Sequence, residues 1–312
     1  MSAVHPIVAV VGSSGAGTSF VKKAFENIFE REGLNPAIIE GDSFHKYDRA
    51  TMRQKVAESK EKGCRPLTHF SEHANLFDKL EELFKTYRET GTGKRRYYIH
   101  SEEEAEFHNK RLGTNLKPGE FTPWEDLPEG TDLLFYEGLH GMVRKVKYLH
   151  EGEKPYNVAQ YVDLGVGVAP AVNIEWMQKI YRDTSERPYT VEDVHKIILE
   201  RMPDYVDYIV PQFHRTHINF HRVPLIDTSD PFSTEEGTLP SVPAPEDSLM
   251  VTHVRIKDQL NLPEIAEQIP GAWMQRDDTL VYNSKYFVDA MDLILTPLIK
   301  QLIEKKRKAL GQ

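Results

Sequence analysis

Cysteine is nearly absent: Cys64 is the only one in 312 residues. A single thiol excludes an intramolecular disulfide and a cysteine-built zinc cage. Also missing is any apolar run of the roughly 20 residues that a membrane-spanning helix needs. Met1–Pro6 carries no basic stretch, and the apolar segment Ile7–Val11 stops at Gly12, so no signal peptide is expected and the expected location is cytoplasmic. Cationic excess is lacking as well. The formal net charge is −9, which argues against nucleic acid as a partner. An anionic substrate would have to be met by a local basic cluster instead.

What is present describes an ordinary globular chain, 39% hydrophobic and 28% charged. Its length allows one domain over 1–312 with decorations. Ile7–Val11 is short, β-branched and continuously apolar, as for a strand buried on both faces. A Gly/Ser turn follows. Val21, Ala24, Phe25, Ile28 and Phe29 then recur at helical spacing within Thr18–Arg31, which Gly33 ends. With a second strand at Ala37–Ile39, residues 7–39 read as a βαβ unit. Leu76–Tyr87, Glu175–Arg182, Val191–Met202 and Tyr286–Leu310 read as helices. Asp132–Tyr136, Val158–Val166, Tyr208–Val210, Ser248–Ile256 and Thr279–Tyr282 read as strands. Residues 88–130 are polar, contain a strand at Arg96–His100, and read as a surface excursion. Pro231–Asp247 reads as an exposed loop. The fold class is therefore α/β, a three-layer arrangement with a mostly parallel, mixed central sheet flanked by helices.

The turn Gly12-Ser13-Ser14-Gly15-Ala16-Gly17-Thr18-Ser19 has the spacing of a phosphate-binding P-loop. Glycines permit the tight path, backbone N–H groups point inward, and the helix dipole favours negative charge. Ser19 would offer a hydroxyl to Mg²⁺. Thr18 stands where the motif usually has lysine. Asp42 follows the second strand, at the end where α/β sheets bind ligands, and suits a general base; a helix N-cap is the plainer alternative. His45 and Arg49 lie on a segment suited to a phosphate monoester. Glu137 closes an apolar strand, the position of a metal-holding acid. Lys179, Arg182, Asp183 and Arg187 form a dense charged cluster, although Lys179 and Asp183 also suit a surface i,i+4 salt bridge. His214, His217 and His221 favour a structural or surface role over metal ligation.

Taken in order, GSSGAGTS, IEGDSFHKYDR, HFSEHANLF, LLFYEGLHG, NIEWMQKIYRD and the run Pro211–Phe232 resemble the bacterial phosphoribulokinases over nearly the whole chain. That resemblance implies a P-loop kinase using ATP and Mg²⁺ to convert D-ribulose 5-phosphate to the 1,5-bisphosphate in the Calvin cycle. The lysine-free loop resembles the same branch. It implies Asp42 as base, Glu137 and Asp183 as an acidic pair for metal and catalysis, and Lys179 and Arg182 as cations acting during transfer. His45, Arg49, His100 and Arg187 are implied to hold the sugar phosphate. It further implies a homo-oligomer, an octamer, activated by NADH and inhibited by AMP, for which Arg31, Arg222 and Arg255 are candidate contacts; surface arginines are the plainer reading. Residues 101–120 are more acidic and longer than the resemblance implies. A uridine kinase-like enzyme and a non-catalytic nucleotide sensor are the competing readings.

Overall fold

The computed structural model describes residues 4–13, 15–147, 149, 154–185, 189–232 and 241–311. Eight strands form the main sheet: β1 (Ile7–Gly12), β2 (Pro36–Glu40), β3 (Leu133–Gly138), β4 (Leu164–Val168), β5 (Ile218–Pro224), β6 (Ser248–Val254), β7 (Trp273–Arg276) and β8 (Thr279–Asn283). Their order is β7-β8-β6-β5-β4-β1-β3-β2. The run β2-β3-β1-β4-β5 is parallel, and β6, β7 and β8 are antiparallel additions. The mixed, mostly parallel α/β sheet is thus the expected one.

Strand β1 shows why its run is apolar throughout. Val8 and Val10 face a core shared with α1 (Thr18–Arg31), α8 (Leu262–Gln268) and α9 (Phe287–Leu310). Ile7, Ala9 and Val11 face the opposite core, filled by Phe77, Leu80, Leu83, Phe84 and Tyr87 of α3 (Phe77–Thr90). β3 alternates likewise, with Leu133 and Phe135 on the first face and Leu134 and Tyr136 on the second. A parallel strand covered on both sides needs both faces apolar. Helices α2 (Arg49–Glu61), α4 (Glu102–Leu112), α5 (Val172–Ser185), α6 (Val191–Asp204) and α7 (Val210–Phe213) complete the set.

Three strand expectations are corrected. Tyr208–Val210 is helical: α6 runs through a π-turn, Tyr205–Ile209, into α7. Tyr205 and Ile209 fall on one face against Phe70 and Leu139, and a short apolar run fits that as well as a strand. Val158–Val166 splits into a 3₁₀ turn, Val158–Tyr161, and β4. Asp163 accepts the Ile7 N–H at 2.9 Å and pairs with Arg88 at the mouth of β4. Arg96–His100 is not a strand; pairing stops after the two-stranded ribbon Lys94–Arg95/Glu125–Asp126 and resumes as one bridge, Tyr98 to Phe121. Pro123 in the facing segment has no N–H to give, and Tyr97 N–H donates instead to the Thr122 hydroxyl at 2.9 Å. The 88–130 stretch also carries α4, capped by Ser101, and buries Ile99, Ala105 and Leu127.

Candidate active site

The phosphate loop lies between β1 and α1. Gly15 and Gly17 take φ of +104° and +94°, a region L-residues avoid. A Cβ on Gly12 would come within 2.8 Å of the Val168 carbonyl, and one on Gly15 within 3.1 Å of the Glu175 carbonyl. The loop is wedged between the end of β4 and the face of α5. Gly17 caps α1 without a side chain, so no capping side chain occupies the helix N-terminus, as an anion cradle requires. Ser14 lies outside the described residues, and so does the side chain of Ser19. Thr18, in the usual lysine position, lies beside the Glu137 carboxylate and favours its ionised form.

Register brings three carboxylates together. Glu137 pairs in sequence register with Val10 on one side and Glu40 on the other, and Asp42 follows one residue beyond Gly41. Burial holds the Glu137 carboxyl above its usual range, with Asp42 and Glu40 adding like charge. Lys22 answers part of this by pairing with Glu40 at 2.9 Å. Hard oxygen donors gathered beside a phosphate loop fit Mg²⁺. Among the described residues no group of three or more His, Cys, Asp or Glu is arranged to hold a metal; Mg²⁺ is commonly held by one or two carboxylates together with substrate phosphates and waters.

Asp42 sits in the 3₁₀ turn Gly41–Phe44 and caps no helix; the N-cap of α2 is Asp48, which accepts from Thr51 N–H at 2.7 Å. Its carboxylate meets His45 Nε2 at 3.2 Å and His100 Nε2 at 3.8 Å. Burial pushes Asp42 upward, but His45, His100 and His69 outweigh it and hold the carboxyl below its usual range. His45 Nδ1 is fixed by the Asn75 side-chain oxygen Oδ1 at 2.8 Å, and its ring lies 4.1 Å from that of His69. Behind them, burial drives His69 well down and His140 down to about 3. Arg49 opens α2 against Gly119, where a Cβ would meet the Arg49 side chain at 2.6 Å. Tyr98 gathers the group, its ring 4.9 Å from His100 and 6.0 Å from the Arg49 guanidinium.

Across the loop, α5 presents Lys179, Arg182 and Asp183. Lys179 binds Asp183 as an i,i+4 pair, but a buried one: the side chains are 8% and 2% exposed. Arg182 Nη2 lies 2.9 Å from the other Asp183 oxygen. Burial and then the like charge of Arg201 lower Lys179 to about 8, against the pull of Asp183. Burial raises Asp183 but the two cations win, and its carboxyl is held low. One turn earlier Glu175, beside the loop, is raised by burial to about 7. Arg187 lies outside the described residues.

The geometry is therefore a phosphate cradle with one ionised carboxylate on one side and buried cations on the other. The model of the phosphoribulokinase / uridine kinase family matches residues 7–229. The chain belongs to that family. It is 48% identical over 305 residues to a phosphoribulokinase of Nitrobacter vulgaris, covering 98% of this chain and 99% of that one. A chromosomal phosphoribulokinase of Cupriavidus necator is 47% identical over 309 residues, at 99% of each chain. Among solved structures, a phosphoribulokinase from Rhodobacter spheroides superposes with a TM-score of 0.83 at 40% identity, covering 98% and 100%. Family membership makes the cradle a kinase site.

Sequence reasoning gave no role to Tyr98, His69, His140, Glu175 or Arg201; His69, His140 and Glu175 lie inside the motifs HFSEHANLF, LLFYEGLHG and NIEWMQKIYRD, but only packing between segments shows that they line the site. Of the effector candidates, Arg31 pairs with Asp292 at 2.7 Å, Arg222 donates to the Pro243 and Ala244 carbonyls, and Arg255 donates to the Thr216 carbonyl at 2.7 Å. His217 Nδ1 accepts the Gly165 N–H at 2.7 Å and His221 binds the Ala169 carbonyl, so these histidines serve the backbone of β4 and its exit. Among the described residues no helix is long and apolar enough to cross a membrane.

Proposed function

We propose that the chain transfers the γ-phosphoryl group of ATP to the C1 hydroxyl of D-ribulose 5-phosphate, giving ribulose 1,5-bisphosphate and ADP. The observation that carries this is Asp42: an ionised carboxylate beside the phosphate loop, ringed by His45, His100 and Arg49. A basic setting around the base suits an acceptor that already bears phosphate better than it suits a nucleoside. The names of the relatives support the same substrate.

In the reaction the loop N–H groups of Gly12–Ser19 grip the β- and γ-phosphates. Ser19 and Glu137 would hold Mg²⁺, which would neutralise negative charge on the phosphates of ATP. Asp42 accepts the proton of the attacking hydroxyl; its low basicity is adequate because bond formation to phosphorus lags behind bond breaking, so the proton leaves late. His45, Arg49, His100 and Arg187 orient the sugar phosphate. Lys179 and Arg182, held by Asp183, face the charge on the transferring group and supply what Thr18 does not. Asp183 keeps those cations placed. The reading extends to a single cytoplasmic domain over 1–312 that assembles as a homo-oligomer, an octamer by resemblance, with NADH activating and AMP inhibiting.

Coupled ADP release should be measured with ribulose 5-phosphate and uridine in parallel, with Mg²⁺ and after chelation, and with NADH or AMP added. Turnover on the sugar phosphate that chelation abolishes is the expected result. Turnover on uridine alone would overturn the assignment in favour of the nucleoside-kinase side of the family.

A further inference from the structure

Arg96 is absent from every role above, yet its guanidinium grips the backbone of the Asp42 turn from the 94–100 arm. Its Nε donates to the Ser43 carbonyl at 2.8 Å and its Nη2 to the His45 carbonyl at 2.6 Å. Ser43 follows Asp42 directly, and His45 is the imidazole that touches the Asp42 carboxylate at 3.2 Å. The guanidinium lies 3.7 Å from the ring centroid of Phe121 and 4.8 Å from that of Trp124. Trp124 packs edge-on against Phe44, which is 2% exposed in the core beneath the turn. Two aromatic rings and two carbonyls therefore leave the group little freedom.

The chemistry of this site is unusual for a structural arginine. Among the described residues Arg96 forms no ion pair, and burial lowers it to about 10, so it stays charged at neutral pH. A cation drawn partly out of water without a counter-ion is costly. What it supplies is geometry: a planar fork that reaches two carbonyls at once, which the single ammonium of lysine cannot reproduce. The same arm carries Tyr98 and His100. Fixing the arm to the turn therefore also sets the 3.8 Å approach of His100 to Asp42.

We propose that Arg96 is a positioning residue for the transfer reaction, clamping the turn so that Asp42 and His45 face the acceptor hydroxyl. The inference rests on Asp42 as the base, as read above. Errors of about 1 Å in placing a catalytic group cost roughly 10²-fold, so Arg96→Met should lower kcat by roughly 10- to 100-fold. Its KM for ATP should stay within about twofold of the parent, because the nucleotide cradle is built from other elements. Arg96→Lys should keep the charge yet recover only a minor part of the loss. In Arg96→Gly, added ethylguanidinium should restore part of kcat, which a merely destabilised protein would not show.

Steady-state constants for the full chain, with thermal unfolding as a check on folding, decide the matter. A folded Arg96→Met or Arg96→Lys enzyme with kcat within about twofold of the parent overturns the inference. So does a KM for ATP that rises in step with the fall in kcat, which would signal general loosening. If the Met variant does not fold, the Lys variant is read by the same criteria. Asp42→Asn, measured alongside, separates the two readings. Turnover retained there removes the base itself and this inference with it. An inactive Asp42→Asn beside a normal Arg96→Met enzyme removes this inference alone.

Discussion

Glu175 holds a buried carboxyl beside the phosphate loop, 6% exposed as a residue. Its carboxyl is raised from 4.5 to about 7 by burial, against the weaker pull of Arg201 and Lys179. A group whose folded value is raised binds more protons folded than unfolded. The stability it contributes is therefore complete below about pH 4.5 and is lost as pH rises through about 7. Glu175→Gln removes that proton exchange. Its unfolding free energy, from urea titrations at pH 5 and pH 8, should depend less on pH than the parent's, by an amount of up to about 3 kcal/mol. An unchanged pH slope would mean that Glu175 is ionised throughout. Lys179 has the opposite sign: with its folded value lowered to about 8, its burial penalty is relieved as pH rises from about 8 towards its usual value.

At the scale of the element, the phosphate loop is held by what packs on it. Gly15 has φ +104° and faces the Glu175 carbonyl and the Lys179 Cβ, where an added Cβ would lie 3.1 and 3.3 Å away. Gly15→Ala should cost about 1–3 kcal/mol of backbone strain and raise the dissociation constant for ATP, as read by urea unfolding and calorimetric titration. Unaltered stability and affinity would show that the loop can relax away from α5. The elements whose apolar pattern is long, α1, α3 and α9, were legible in the sequence to within a few residues. The ones that were not are short. Tyr208–Val210 is apolar and β-branched, but Tyr205 and Ile209 share one helical face between Pro203 and Pro211, and three residues cannot display a period. At Arg96–His100 the defect lay in the partner segment, where Pro123 interrupts a ladder that the first segment alone would have accepted.

Across the whole molecule, the two faces of the sheet have different duties. One core joins α1, α8 and α9 to β1 and the antiparallel strands, and Leu295 lies within it fully buried. The site occupies the carboxyl ends of the parallel strands. Leu295→Ala should therefore lower stability by about 2–5 kcal/mol, seen as an earlier urea midpoint, while kcat and KM well below the transition stay at parental values. A proportional loss of kcat under native conditions would show that α9 braces α1 and the loop as well as the core.

By itself the sequence determined the βαβ start, the glycine-bounded turn, the missing P-loop lysine and the charged residues with which the site is stocked. These are local properties, set by neighbours within a few positions. Only the tertiary structure decided what each charge meets. Lys179 and Asp183 could equally have formed an exposed pair; packing of α5 against the loop buried them and brought Arg201 alongside. Asp42 could have capped a helix; instead the turn was closed by residues about 30 to 60 positions away in sequence, among them His69, Asn75, Arg96 and His100. Burial, and with it the displacement of these groups from their ordinary proton affinities, is set by contacts between distant segments, which no local pattern encodes.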